Sequence, residues 1–228
     1  GGILMAGLKL EHLCKTYPNG FASVKDVCLD VADKELLAFY GPHGCGKSTI
    51  LRMIAGLEDI TSGEIYLGRD LLNDIPPRDR RLAMAFRNYR LYGHLNVFDN
   101  IALGLYIRSI PRHLIENRVR ETADFLGISH ILRRKIRQIS ECEKQSTALA
   151  RALVCKPKVL LIDEEFSHQK EILHAKMLED MVRINRELGL TTLYVTNNQA
   201  DALRYGDRVV FMKDGEITEI RRSKTDFI

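Results

Sequence analysis

The apolar run Leu36-Leu-Ala-Phe-Tyr40 leads straight into Gly41-Pro-His-Gly-Cys-Gly-Lys47-Ser48, and helical periodicity follows from Lys47 to Ala55, where Gly56 stops it. A buried strand, a glycine-rich loop and a helix in immediate succession leave few folds open. The glycines admit backbone conformations closed to other residues, so the chain can reverse sharply and send the helix back over the strand. A second apolar run, Val159-Leu-Leu-Ile-Asp163, lacks alternation and suits a strand covered on both faces of a parallel sheet. Thr191 to Thr196 is a third such strand, and a long amphipathic helix from about Ile172 to Leu188 lies between the two. Strands alternating with helices predict an α/β protein.

The rest of the chain fills in around that core. Leu8 to Leu13 and Val24 to Val31 alternate loosely and predict strands, joined through a turn at Tyr17-Pro-Asn-Gly20. Gly63 to Gly68 predicts a hairpin strand, and Arg208 to Met212 with Glu216 to Ile220 a closing hairpin around Lys213-Asp-Gly215. From about Asn88 to Val154 the pattern is mainly helical, clearest at Glu116 to Phe125 and Thr147 to Val154. We expect one domain over 1–228: a parallel-sheet core with an antiparallel β subdomain from 1–87 and 155–228, interrupted by a helical subdomain at 88–154.

Composition narrows the class of partner. Against 34 basic residues stand 30 acidic ones, interspersed, for a net charge of +4. The short clusters Arg78, Arg80, Arg81 and Arg133, Arg134, Lys135, Arg137 are expected to be solvated faces, and no nucleic-acid partner is expected. The 5 cysteines form no C-x-x-C, and no histidine stands at metal-ligand spacing from one, so reduced thiols without structural zinc are expected. No apolar run reaches the ~18–20 residues of a membrane span. Gly1 to Ala6 is short and uncharged, unlike a signal peptide. A cytoplasmic chain is the expectation.

Gly41 to Ser48 fits G-x-x-x-x-G-K-[ST] in the strand–loop–helix setting that gives the motif meaning. Gly41, Pro42, His43, Gly44, Cys45 and Gly46 would wrap a phosphate, aided by the positive end of the helix that carries Thr49. Lys47 would reach the β- and γ-phosphates, and the Ser48 hydroxyl would ligate Mg²⁺. Asp163 would complete the Mg²⁺ shell, with Glu164 polarising the attacking water and Glu165 turned to solvent.

With these residues in place, the chain resembles the ATP-binding cassette (ABC) ATPases, a P-loop NTPase family with a RecA-like core. It looks most like the ATPase subunits of bacterial maltose and oligosaccharide importers. Gly41 to Thr49, Arg52-Met-Ile-Ala-Gly-Leu-Glu58, Thr61-Ser-Gly-Glu64, Val97-Phe-Asp-Asn-Ile101, Ala148-Leu-Ala-Arg-Ala-Leu153 and Gly206-Asp-Arg-Val-Val210 carry the likeness. The resemblance implies ATP and Mg²⁺ as ligands, Tyr17 stacked on adenine, and Ser140 acting on the nucleotide of a facing subunit. It implies a homo- or heterodimer docked on transmembrane permease subunits at the inner face of the membrane, with the helical segment as the docking surface. Relatives in this group often carry a further C-terminal regulatory module, which a chain ending at Ile228 is expected to lack.

The sequence departs from the family at its chemistry. Arg87 replaces the glutamine that meets Mg²⁺ and water, and a guanidinium cannot ligate a cation. The LSGGQ signature reads Ile139-Ser-Glu-Cys-Glu143, Asn197 replaces the switch histidine, Lys170 the aspartate of the dimer-contact loop, and His43 a serine. The catalytic set would therefore be Glu164, Lys47, Asn197 and Arg87, with ATP binding retained and hydrolysis slow or partner-dependent. In a head-to-tail dimer His43, Lys47 and Arg87 would face Glu141 and Glu143. The alternative is an impaired pseudo-ATPase that regulates or pairs with an active cassette.

Overall fold

The structure is a computed structural model and describes residues 7–86, 91–163 and 171–223. It divides into two compact units: Gly1–Met84 with Lys158–Ser167 and Met181–Ile228, and Ala85–Pro157 with His168–Asp180.

In chain order the elements are β1 (Leu8–Thr16), β2 (Ala22–Val31), β3 (Leu36–Tyr40), α1 (Lys47–Ala55), β4 (Ser62–Leu67), β5 (Asp70–Leu71) and β6 (Leu82–Phe86). Then come α2 (Val97–Ile107), α3 (Arg112–Phe125), α4 (Glu141–Leu153), β7 (Val159–Asp163), α5 (Glu171–Leu188), β8 (Thr191–Thr196), α6 (Gln199–Tyr205), β9 (Arg208–Lys213) and β10 (Glu216–Arg222). One sheet is antiparallel, in the order β2-β1-β4-β5; the other runs β10-β9-β3-β8-β7-β6, with β3, β7, β8 and β9 parallel. This is the α/β fold expected. Three of its elements, the two-residue β5, β6 and α6, were not legible in the sequence. In β6 small alanines interrupt the apolar residues, and α6, at 7 residues, is too short to display a period.

The parallel strands are buried on both faces, and the alternation shows which side goes where. Leu37, Phe39, Val159, Leu161, Leu193 and Val195 join α1 and the antiparallel sheet in one core. Leu36, Ala38, Leu160, Ile162 and Tyr194 are buried without belonging to it, on the opposite pleat. The core thus packs α1 against β7, β8 and β2.

Arg80 overturns one expectation. It is only 7% exposed and not solvated. Its Nη1 donates to the Met53 and Ile54 carbonyls at 2.8 and 2.9 Å, and its Nε to Ile75 O at 2.7 Å. A cation on the last carbonyls of α1 suits the negative end of that helix. Burial pushes the guanidinium pKa down, but an arginine stays charged regardless.

In the second unit α2, α3 and α4 pack together through Ile101, Leu105, Val119, Leu149 and Ala150. The buried Asn100 pins the loop before α2, accepting from Tyr92 N–H and donating to Tyr92 O and Asn96 O. Among the described residues no helix is long and apolar enough to cross a membrane.

Candidate nucleotide-binding site

The loop between β3 and α1 is tightly specified. A side chain at Gly41 would meet Met212 O at 2.3 Å; at Gly46, where φ is 103°, it would meet Ser23 O at 2.4 Å. Gly44, at φ 75°, faces open space instead. Two glycines therefore seat the loop on its neighbours, and the third gives it the turn that keeps it open. Gly46 occupies the cap position of α1, so no side chain of its own closes the helix N-terminus, and the first turn carries no acid.

Lys47 is fully buried, its Nζ donating to Gly41 O at 2.8 Å and Pro42 O at 2.7 Å. Ser48 Oγ donates to Asp163 Oδ1 at 2.7 Å, joining the start of α1 to the end of β7. Ser23 and Thr49 hydroxyls meet at 3.0 Å. The loop, Lys47, Ser48, Thr49 and Asp163 are thus brought together. His43 is exposed, and Asn197, just past β8, places its Nδ2 at 3.3 Å from His43 Nδ1.

Tyr17 lies in the turn between β1 and β2, half-buried. Two neighbours missed in the sequence flank it. Phe21 lies nearly parallel to it, stacked at 6.5 Å between ring centroids, and is 54% exposed. Lys15 Nζ sits 5.0 Å from the Tyr17 centroid while paired with Glu58 at 2.6 Å. The turn signalled one aromatic; the second became its neighbour only once Tyr17 N–H bonded Phe21 O at 2.9 Å. Arg87 and Glu164 lie outside the described residues.

In the second unit Ser140 caps α4. Its hydroxyl accepts from Glu143 N–H at 3.3 Å, while Glu143 Oε2 accepts from Ser140 N–H at 2.7 Å and Ser140 Oγ at 2.8 Å. This reciprocal box was written in the sequence as S-x-x-E and was missed there. Glu143 also lies 3.4 Å from His130 Nε2, and Glu141 pairs with Lys144 at 2.6 Å. Both acids therefore have partners within their own unit, and Lys47 is buried.

The backbone and hydroxyl hydrogen bonds from Ser140, with a smaller contribution from His130, hold the Glu143 carboxyl below its ordinary value of 4.5. A depressed carboxyl stabilises the fold above its unfolded pKa, and that stability is lost as pH falls through the lower folded value. Glu143→Ala should therefore cost about 1 kcal/mol at pH 7, the usual worth of a cap. The gap between variant and parent should close on acidification below about pH 4. Urea midpoints at pH 7 and pH 3 measure it; a gap that stays constant would remove Glu143 from the cap.

A strand–loop–helix with a buried lysine, a serine–aspartate pair and an open glycine turn defines a P-loop nucleotide-binding protein. The sequence pattern described as ABC transporter matches residues 24–167, and the chain belongs to that family. The oligosaccharides import ATP-binding protein MsmX of Bacillus subtilis is 44% identical over 220 residues, covering 96% of this chain and 60% of that protein. The trehalose/maltose import ATP-binding protein MalK of Thermococcus litoralis is 42% identical over 222 residues, covering 95% of this chain and 59% of its own length. The chain thus spans about 60% of the length of these curated relatives. Among solved structures, the ATP-binding cassette MJ0796, described as a dimer bound to ADP and Pi, superposes with a TM-score of 0.80 at 27% identity, covering 96% of this chain and 99% of that one.

Proposed function

We propose that this chain is the ATP-binding part of a carbohydrate importer, holding Mg-ATP at the β3–α1 loop and hydrolysing it slowly or only with a partner. The observation that carries the reading is the Ser48–Asp163 contact beside Lys47. A hydroxyl and a carboxylate, both hard oxygen donors, suit Mg²⁺. The open face of Gly44 and the uncapped start of α1 suit a phosphate. When bound, Mg²⁺ would neutralise charge on the phosphates, with Ser48 and Asp163 as its protein ligands. Lys47 would bind the phosphates, Tyr17 would stack on the base, and Glu164 would accept the proton of the attacking water. The names of the sugar-import relatives support the transported class and the MJ0796 dimer supports a dimeric state; permease partners and a place at the inner membrane face are part of the proposal.

The pseudo-ATPase reading draws on a specific observation. The Ser140 hydroxyl is donated to Glu143 within its own helix turn, so before it could serve a facing γ-phosphate it would have to leave that partner. ATP should then promote dimerisation less than in a cassette with an intact signature. Sedimentation at low ionic strength, with and without Mg-ATP in a Glu164→Gln background, tests this, since screening over a Debye length of about 10 Å at 0.1 M salt would blunt charge effects. ATP affinity measured on the same sample separates the readings. Binding without an ATP-driven dimer supports the partner-dependent form, a tight ATP-induced dimer removes the Glu143 obstruction, and no ATP binding removes both.

A further inference from the structure

The antiparallel sheet of the first unit is irregular at one place. Leu10 faces Leu29 and Leu13 faces Val27, so β1 has an extra residue there; Lys15 faces Val24, so β2 then gains one in turn. Within these two bulges His12 and Asp26 both adopt φ 49°. Bulges re-aim side chains, and these bring His12 Nδ1 to 2.8 Å from Asp26 Oδ1. Cys28 completes the group: its Sγ is 3.6 Å from His12 Nδ1 and accepts from the His12 backbone N–H at 3.3 Å. Single ligand atoms of the three residues all lie within 4.8 Å of one another, and all three residues are exposed.

We propose that His12, Asp26 and Cys28 form a surface site for one zinc-class divalent ion, distinct from the Mg²⁺ position at the phosphate loop. An imidazole, a carboxylate and a thiolate are a mixed donor set that favours a borderline metal over Mg²⁺, which demands oxygen ligands. Bonds of about 2.0–2.3 Å in a tetrahedron put neighbouring ligand atoms roughly 3.3–3.7 Å apart. The His12–Cys28 separation of 3.6 Å already has that span, while the 2.8 Å hydrogen bond from His12 to Asp26 must open by a fraction of an ångström. Cys14 steadies the second bulge, its Sγ accepting from Asp26 N–H at 3.2 Å. The site's exposure leaves the fourth position to solvent. Binding at neutral pH releases the thiol proton of Cys28 to water.

The site escaped the sequence because its ligands are not locally spaced. Histidine and cysteine meet across two strands, in a register that no linear motif encodes.

The test is titration of the reduced, chelator-treated full chain with Co²⁺. One equivalent should bring a thiolate-to-cobalt charge-transfer band with the visible bands of four-coordinate cobalt. Zn²⁺ should bleach both, and millimolar Mg²⁺ should leave them. Cys28→Ser should abolish the charge-transfer band, and His12→Ala should weaken Zn²⁺ binding roughly tenfold or more, since even outer-shell changes cost 10–100-fold. Far-UV circular dichroism and unchanged ATP affinity certify that both variants are folded. Absence of the band, or a band that survives Cys28→Ser, would reduce the cluster to a surface histidine–aspartate pair beside a thiol.

Discussion

Lys47→Ala should weaken Mg-ATP binding by roughly ten- to a hundredfold, the loss expected for a charged phosphate contact worth about 1.5–3 kcal/mol. Lys47 is the right residue for so large an effect because it is fully buried and its ammonium is held at the loop by Gly41 O and Pro42 O. Those carbonyls compete with a phosphate for the same donors, which is why the lower half of the range is the better expectation. The substitution also strands two carbonyls, so the melting temperature should fall. Isothermal titration calorimetry beside a thermal melt measures both. A dissociation constant equal to that of the parent, in a folded variant, would take the loop out of the nucleotide site.

The second large effect concerns turnover. Arg87→Gln, Asn197→His, Glu141→Gly and Cys142→Gly made together should raise steady-state phosphate release by about 10²-fold or more, well beyond any single reversion. One preorganised transition-state donor is typically worth about 10²–10³ in rate, and groups that act as an assembly restore activity together. The structure gives part of the reason. Asn197 offers an amide to His43 where the resemblance implies an ionisable ring, and Glu141 is tied to Lys144 in the first turn of α4 where it implies glycine. Phosphate release at saturating Mg-ATP is the measurement. If the unmodified chain already turns over at about 1 s⁻¹, within the ordinary enzyme range, these positions are not limiting.

What the sequence revealed follows a physical pattern. The limits of β3 and of α1 could be read to the residue, because an apolar run, a glycine loop and a glycine stop mark both boundaries. Gly41 to Thr49 and Asp163 were picked out because backbone geometry and metal chemistry restrict those positions to a few residue types, and the structure brings them together. The misses were of another kind. Arg80 reads as one more arginine in a basic cluster until α1 ends beside it. Phe21 and the His12–Asp26–Cys28 group exist only through strand pairing, which a linear pattern does not carry. The Ser140–Glu143 box is different, since its spacing was visible; a family comparison that reads Glu143 only as a lost glutamine hides what it does for its own helix.

The grip of Arg80 on α1 has an entropic consequence. A helix of 9 residues would not persist alone in water, where fewer than about 12–15 residues are marginal. Here its far end is fastened by two guanidinium hydrogen bonds, to Met53 O and Ile54 O, from an arginine itself anchored on Ile75 O, and its flank is held by the core. The helix is therefore ordered in advance of any ligand. Fixing a residue's backbone costs about 1–2 kcal/mol, and nucleotide binding is spared that cost along all of α1. Gly41 and Gly46 are likewise seated on their neighbours, so any ordering left to the ligand falls on the middle of the loop around Gly44, which faces open space. An arginine at the opposite end of the helix thus helps set how tightly the loop can hold a phosphate, without coming near it.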